Sequence, residues 1–192
     1  MHDYARATPP PGGKSWAERG VIIDEAGAQS PRALNGATWE VVTDTVMGGL
    51  SRASLRAAIV AGRHALHLEG EVRLENGGGF VQCALDLASP GLAFDASGHA
   101  GIEVTVLGNG ELYGLHLRTT ANRQPWESWR QSFTATGTWQ TLRLPFTGFL
   151  PHRCAGVLDL ARLRRVGLVG IGRAFRADVA LNRIAFYRAA PG

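Results

Sequence analysis

Short runs in which apolar and polar residues alternate, separated by glycine-rich corners, constrain the fold of this chain most strongly. Apolar side chains recur at every second position over residues 102–106 and again over residues 113–117. This period of two places the apolar side chains on one face of a β-strand. Because Gly108-Asn109-Gly110 separates the two runs, the pattern predicts a β-hairpin.

Two earlier glycine corners divide the first half of the chain in the same way. The segment 39–51 begins with β-forming residues and breaks at Gly48-Gly49, and a second corner follows at residues 76–80. We expect Gly48 and Gly78 to hold positive φ angles, which glycine adopts without a Cβ clash. About nine or ten strands fit the whole chain, with no amphipathic helix, which is typical of a two-sheet sandwich or a barrel. The sandwich is favoured because the last strand can pair near the first.

Length and composition favour one folded domain with a short lead-in. Residues 9–13 are three prolines followed by two glycines, so residues 1–20 are interpreted as a flexible lead-in. Residues 21–190 are predicted to form a single β-sandwich domain, since 45% of the 192 residues are hydrophobic and can fill one core.

The net charge of +4 is unevenly distributed. Residues 150–192 carry eight arginines and two aspartates, a net charge of +6, so the first 149 residues carry −2. Such a basic region is suited to an acidic protein, a phosphate group or an anionic membrane surface, although single arginines on solvent-facing strands are the simpler interpretation. The chain has no lysine-rich run and no basic segment interleaved with aromatic residues, which argues against a nucleic-acid partner.

Cysteine and histidine spacing indicates neither a metal site nor a cofactor. Cys83 and Cys154 lack metal-type spacing, and Cys83 alternates with apolar neighbours, as expected for a buried thiol. Whether the two cysteines pair in a disulfide stays open. No stretch is apolar enough to span a membrane, and residues 1–20 lack the apolar region of a secretory signal. We therefore expect a soluble, cytoplasmic protein whose only membrane contact is peripheral.

Three residues around the first glycine corner, Asp44, Met47 and Ser51, are candidate ligand contacts. An aspartate before a turn accepts hydrogen bonds from turn amides or binds a ligand or cation, and the turn role is the commoner one. Ser51 has the same two alternatives, while Met47 is expected to plug the edge of the core. The corner at residues 77–79 is not a phosphate loop, because no Gly-Lys-Ser/Thr sequence and no helix start follow it.

A second group of candidates lies in the middle of the chain. His116 and Arg118 share a strand face opposite Tyr113, so they form either a polar site or, more simply, part of an exposed sheet face. Trp126 lies in a polar loop, where exposed indoles stack on sugar rings or anchor protein interfaces. Trp129 matches a strand position and is expected in the core.

No arrangement of catalytic residues is recognisable in the sequence. The chain has no G-x-S-x-G nucleophile elbow, and no two carboxylates are identifiable as an acid/base pair. An enzyme would require Asp44, His116 and Arg118 to converge in one pocket. The sequence therefore predicts a non-enzymatic protein.

Several motifs, in chain order, resemble the complex I intermediate-associated protein 30 family. The resemblance covers roughly residues 23–187. The motifs are Trp39-x4-Asp44-x2-Met47-Gly48-Gly49-x-Ser51; Asn76-Gly77-Gly78-Gly79-Phe80; Gly108-Asn109-Gly110 with Tyr113 and Arg118; Trp129-x3-Phe133, Trp139 and Pro145-Phe146; and Arg164 with Val166-Gly167-Leu168. The chain departs from the family at Ala84, where a basic residue is common, and at Arg153-Cys154-Ala155, which replaces an Arg-Gly pair.

This resemblance implies an all-β, galactose-binding-like jelly-roll β-sandwich. Mitochondrial members of the family are assembly factors for respiratory complex I, so the resemblance implies an assembly-factor-like module with a protein partner, such as a respiratory-complex subunit. A carbohydrate- or small-ligand-binding module is the alternative, motivated by the fold class and by Trp126. The predicted ligand- or partner-binding residues are Asp44, Met47, Gly48, Gly49, Ser51, Gly78, Gly79, Phe80, His116, Arg118, Trp126 and Arg153.

Overall fold

Twelve β-strands form two antiparallel sheets in the computed structural model, which describes residues 21–27, 30–90 and 92–189. The predicted lead-in, residues 1–20, lies outside the described residues. The strands are β1 (Val21–Glu25), β2 (Glu40–Thr43), β3 (Arg52–Val60), β4 (Arg63–Val72), β5 (Phe80–Asp86), β6 (Gly101–Gly108), β7 (Leu112–Thr119), β8 (Ser128–Thr134), β9 (Gln140–Pro145), β10 (Leu150–His152), β11 (Leu163–Ile171) and β12 (Phe175–Tyr187).

Each sheet contains six of these strands. The first has the order β3-β4-β12-β6-β9, with β1 also pairing with β12, and the second has the order β10-β8-β7-β11-β5-β2. The pairing of β1 with β12 joins the two ends of the described chain, as the sequence predicted for a sandwich. The predicted all-β, jelly-roll-like sandwich is therefore confirmed.

The inner faces of the two sheets enclose one hydrophobic cluster. Leu66 and Ile102 face inward from the first sheet and Leu85 and Leu115 from the second, and all four are almost completely buried. Each such side chain contributes about 1.5–3 kcal/mol when it leaves water. Trp129 is buried among them, as its strand position predicted.

The predicted hairpin across Gly108-Asn109-Gly110 is wrong. Strand β6 pairs with β12 and β9 in the first sheet, whereas β7 pairs with β8 and β11 in the second. The corner therefore crosses from one sheet to the other. The Tyr113 hydroxyl fixes this crossing, because it donates to Asn109 Oδ1 and accepts from the Asp178 amide, both at 2.8 Å. Alternation and a glycine turn are common to hairpins and to such crossings, so the sequence pattern alone does not separate them.

Strand β10 is not predicted from the sequence, because its three residues are too few to show an alternation. It pairs with β8 at the edge of the second sheet, with His152 opposite Ser128. Both cysteines are free thiols, and Cys83 is buried as predicted. Burial raises the pKa of the Cys83 thiol to about 12. Among the described residues, no helix has the length and apolar character required to cross a membrane.

Candidate functional site

The outer face of the second sheet carries an open cleft of about 550 Å³. Strands β2, β5, β7, β8, β10 and β11 supply its floor, while the two glycine corners and the loop before β8 supply its rim. Its lining consists of Val42, Val46, Met47, Gly77, Gly78, Gly79, Phe80, Gln82, His116, Arg118, Pro125, Trp126, Ser128, Arg130, His152, Arg153, Arg165, Gly167, Val169, Ile171 and Gly172.

Strand alternation explains why polar residues lie on this face. On β7, Leu115 and Leu117 enter the core, so the intervening His116 and the following Arg118 point the other way. The same alternation on β11 directs Leu168 inward and its neighbours outward. The shared strand face of His116 and Arg118 was thus predicted correctly.

Two glycines make room for larger side chains on the cleft floor. A Cβ at Gly167 would lie 2.5 Å from Gln82 Nε2, and one at Gly114 would lie 3.3 Å from His116 Nε2. The side chains of Gln82 and His116 therefore lie flat over glycine backbone. A larger residue at Gly167 would push Gln82 into the cleft.

His116 is only 7% exposed, so the simpler expectation of an exposed sheet face is wrong for this residue. Arg130 lies opposite it on β8. Burial, followed by the positive charges of Arg130 and His152, lowers the pKa of His116 to about 3. The imidazole is therefore neutral at neutral pH and adds no charge to the cleft.

Arg118 connects the cleft floor to the loop that carries Trp126. Its Nη2 donates to the Gln124 carbonyl at 2.8 Å, and burial lowers the pKa of its guanidinium. Its buried Nε has no hydrogen-bond partner in the described part of the chain. The Glu127 carboxylate closes the same loop by accepting from the Gln124 amide at 3.1 Å. Trp126 is 42% exposed at the rim, as its loop position predicted.

The cleft lining contains four arginines and no carboxylate. The charge of Arg165 is neutralised by Asp86, which lies outside the cleft lining. The guanidinium of Arg165 donates to both carboxylate oxygens of Asp86, at 2.6 and 3.1 Å. Arg130 donates only to the Ser128 hydroxyl, at 2.9 Å. Arg153 is exposed and has a positive φ of 53°. Neither Arg130 nor Arg153 forms an ion pair with any residue that the structure describes, since the described ion pairs all involve other cations.

The end of the cleft away from Arg130 and Arg153 is apolar. Val46 and Met47 are 70% and 53% exposed, and Ile171 lies near them on the lining. Met47 was expected to plug the edge of the core, and this is wrong. The four-residue turn Asp44–Met47 buries Asp44 instead and directs Val46 and Met47 outward.

Asp44 is fully buried and joins the two glycine corners rather than lining the cleft. Its carboxylate accepts hydrogen bonds from the Ser51 amide and hydroxyl, at 2.9 and 2.5 Å. It also accepts from the amides of Gly79 and Phe80, at 2.5 and 3.3 Å. Burial by itself raises the pKa of this carboxyl, but the four hydrogen bonds outweigh it and lower the pKa. The turn-capping alternative was therefore the correct one for Asp44.

Three glycines make this compact corner feasible in different ways. Gly48 has φ +86°, as predicted, and nothing lies within 4 Å of where its Cβ would be. The expectation of a positive φ at Gly78 is wrong, because its φ is −76°. Gly78 is required for space instead, since a Cβ there would lie 2.5 Å from Asp44 Oδ2. A Cβ at Gly49 would collide with the same carboxylate.

The cleft gathers residues from motifs that lie far apart in the sequence. Of the twelve predicted site residues, eight line it: Met47, Gly78, Gly79, Phe80, His116, Arg118, Trp126 and Arg153. The other four, Asp44, Gly48, Gly49 and Ser51, form the corner beside it. Sequence reasoning missed Arg130 and His152. Arg130 could have been found from its alternation with the buried Trp129, whereas His152 had no signal because the three residues of β10 are too few to show an alternation.

A separate side-chain cluster lies on the first sheet. His67, Glu69 and Asp178 offer ligand atoms within 4.8 Å of one another. The imidazole of His67 lies 2.8 Å from Asp178 Oδ1, and Glu69 forms an ion pair with Arg56 at 2.6 Å. These contacts already engage each member, so the cluster is explained as a network of surface charges.

Sequence comparison identifies a family but no curated relative. The model of a family described as Complex I intermediate-associated protein 30 matches residues 28–179. A comparison with curated protein sequences found no match. The family match spans all of the cleft-lining residues named above.

Structural comparison finds carbohydrate-binding modules with the same architecture. A family 11 module from Clostridium thermocellum, solved with a beta-1,3-1,4-mixed-linked tetrasaccharide, is 15% identical, with a TM-score of 0.69, and the match covers 89% of this chain and 96% of that one. The family 11 module of the cellulase Lic26A-Cel5E from the same organism is 14% identical, covering 88% and 95%, with a TM-score of 0.68. The family 30 module of Cel9D-Cel44B from C. thermocellum is 13% identical, covering 91% and 96%, with a TM-score of 0.55. At these identities the likeness shows a shared fold.

Proposed function

The chain belongs to the complex I intermediate-associated protein 30 family, and from this premise we propose that it is a non-enzymatic, assembly-factor-like module that binds a protein partner. The partner is proposed to occupy the cleft on the outer face of the second sheet. The family description makes a subunit of a respiratory complex the first partner to test.

The observation that carries this proposal is the convergence of eight predicted residues on one cleft. They come from the two glycine corners, from β7, from the Trp126 loop and from the segment after β10. Exposed members such as Met47, Trp126 and Arg153 are not needed to fill the core, because the core lies on the other side of the sheet. Their convergence supports a role in recognition.

The chemistry of the cleft favours a protein segment over a sugar. Val46, Met47 and Ile171 present exposed aliphatic and thioether groups, which pack against apolar side chains. They lack the flat ring on which a sugar stacks. Trp126 is the one exposed aromatic among the lining residues that the structure describes, and it suits an interface anchor equally well.

The electrostatics support a binding role rather than catalysis. An enzyme would require Asp44, His116 and Arg118 to act together, but the Asp44 carboxylate is committed to the corner and does not line the cleft. The pKa of His116 near 3 makes the imidazole a poor proton carrier at neutral pH. These two residues thus lack the properties of a general acid/base pair.

A photocrosslinking experiment tests the protein-binding role. The photoreactive amino acid benzoylphenylalanine replaces Trp126 at the cleft rim, or Arg143 on the first sheet as a matched control, in cells that produce the protein. The proposal expects a discrete crosslinked partner from position 126 that is absent from position 143, and identification of that partner by mass spectrometry. Identical crosslinks from both positions, or none from position 126, would reject the cleft as a protein-binding site.

Carbohydrate binding is the second candidate, supported by Trp126 and by the fold shared with carbohydrate-binding modules. Isothermal titration calorimetry with mixed-linked β-glucan oligosaccharides and a panel of other glycans tests it. Saturable heats that disappear in Trp126→Ala would establish sugar binding and displace the protein partner from this site. Flat titrations with folded protein would remove the carbohydrate candidate.

A further inference from the structure

One end of the cleft is cationic, around Arg130 and Arg153, and the other is apolar, around Val46 and Met47. The strand order fixes how far apart these ends lie across the strands. Arg130 lies on β8, whereas Phe80 lies on β5 and Val42 on β2. In the order β8-β7-β11-β5-β2, three steps separate β8 from β5 and four separate it from β2. Neighbouring strands are about 4.8 Å apart, so the two ends lie roughly 14–19 Å from each other in the direction across the strands.

The cationic end carries charge that no described residue neutralises. Arg130 is held by the Ser128 hydroxyl at 2.9 Å, which orients its guanidinium without cancelling its charge. Burial, followed by the nearby charge of Arg153, lowers the pKa of Arg130, and burial, followed by both arginines, lowers the pKa of His152. Like charges held close together in a cleft without a counter-ion create a positive potential that attracts an anion.

The apolar end exposes its side chains to solvent. Val46 and Met47 belong to the turn that buries Asp44, and their own side chains are exposed. Exposed apolar side chains beside a groove are typical of interaction sites. Phe80 and Ile171, which pair across β5 and β11, continue this apolar surface into the cleft.

We propose that the cleft binds an extended acidic segment of a partner protein, with its carboxylates at Arg130 and Arg153 and an apolar side chain at Val46 and Met47. This inference rests on the proposed function and adds the chemistry of the segment. An extended chain advances about 3.3 Å per residue, so a segment of about five or six residues spans the two ends. Arginine suits carboxylates because its planar donors engage both oxygens.

The Nε of Arg118, which lines the cleft, is an orphaned donor. It is buried and has no described hydrogen-bond partner, while its Nη2 is already used by the Gln124 carbonyl. A backbone carbonyl of a segment crossing the cleft is an acceptor of the right kind for such a donor. Arg118 therefore has a positioning role for the backbone, separate from carboxylate recognition.

Selection from a displayed library of random dodecapeptides tests the inference without assuming a partner. The library is selected in parallel on the wild-type protein, on Arg130→Gln/Arg153→Gln, and on Arg63→Gln/Arg176→Gln. The last variant makes the same change in net charge at exposed sites outside the cleft lining. Circular dichroism confirms that each variant is folded before selection.

The expected result is a clear enrichment of aspartate and glutamate, together with aliphatic residues about five positions away, on the wild-type protein and on the control variant. The acidic enrichment should disappear on the cleft variant. A synthetic peptide from the enriched pool should bind at least tenfold more weakly to the cleft variant in fluorescence anisotropy, and the salt dependence of its binding should decrease.

Three results would overturn the inference, and they separate it from the proposed function. Enrichment of neutral peptides, equal on all three proteins, would reject acidic recognition while leaving a peptide-binding cleft. Acidic enrichment that persists on the cleft variant would place recognition elsewhere. No peptide enrichment, combined with binding of oligogalacturonate to the wild-type cleft, would reject both and assign the arginines to an acidic sugar.

Discussion

The buried carboxylate of Asp44 accepts a hydrogen bond from the backbone amide of Gly79, which lies 35 residues further along the chain. The same carboxylate holds the Ser51 amide at 2.9 Å. One side chain thus joins two glycine corners that form one edge of the cleft, and it fixes where Met47 and Gly78 lie. Asp44 is a positioning residue for the candidate site.

Removing this charge should weaken the fold and alter its acid sensitivity. The folded-state pKa of Asp44 is lowered, so its contribution to stability is present above about pH 4, the pKa of an unfolded aspartate, and is lost as the pH falls further. Asp44→Asn should cost about 1–3 kcal/mol at neutral pH, and much less at about pH 3. Urea unfolding at both pH values measures this, with the exposed Asp159→Asn as control. An unchanged pH dependence would show that the carboxylate is not stabilised in the fold.

Gly48 and Gly78 should respond differently to alanine. Gly48→Ala meets open space but holds a positive φ, so it should cost about 1 kcal/mol. Gly78→Ala keeps an ordinary φ but drives a methyl group into the Asp44 carboxylate, so it should cost about 3 kcal/mol or more. Urea denaturation of both variants decides the order. Equal losses, or a larger loss at Gly48, would contradict the packing described for this corner.

His116 should lower the free energy of unfolding as the pH falls towards the pKa that this residue has in the folded protein. Its pKa drops from about 6.5 in the unfolded chain to about 3 in the fold. Stability from this residue is therefore complete above about pH 6.5 and declines below it, by about 2 kcal/mol at about pH 5. His116→Gln should remove that part of the decline, whereas the exposed His64→Gln should not. Parallel declines in both variants would show that His116 is not buried as described.

Trp126 should contribute to binding and little to stability. Its side chain is 42% exposed at the rim, so Trp126→Ala should leave the midpoint of urea unfolding almost unchanged. Affinity for the crosslinked partner or for a selected peptide should fall tenfold or more, about 1.4 kcal/mol, as for an interface anchor. The exposed Ile59→Ala on the first sheet is the control. Equal affinities of the two variants would exclude Trp126 from the interface.

The strands could be predicted because alternation directly reports which side chains are buried. The inward direction of Leu115 and the outward direction of His116 followed from it, and so did the sandwich. The crossing between β6 and β7 did not follow, because the hydrogen bond from the Asp178 amide to the Tyr113 hydroxyl joins residues that are 65 positions apart in the chain.

The candidate site shows the same division between local and distant information. Trp126 and Arg118 could be selected from their positions in a loop and on a strand face. Packing decided the rest: whether Met47 turns inward, and whether Gly78 is needed for its φ or for space beside Asp44. The lack of a carboxylate partner for Arg130 among the described residues is a property of several strands together, so no local pattern could reveal it.

The most direct test of the account is a two-dimensional 15N NMR titration with the crosslinked partner segment or a selected peptide. The central claim is that the cleft on the second sheet holds the ligand. It predicts shifts of the Trp126 indole signal and of the amides of Gly79, Arg118 and Arg130, with the Trp39 indole, buried against Asp24, unmoved. Shifts confined to β3, β4 and β9 of the first sheet would contradict it.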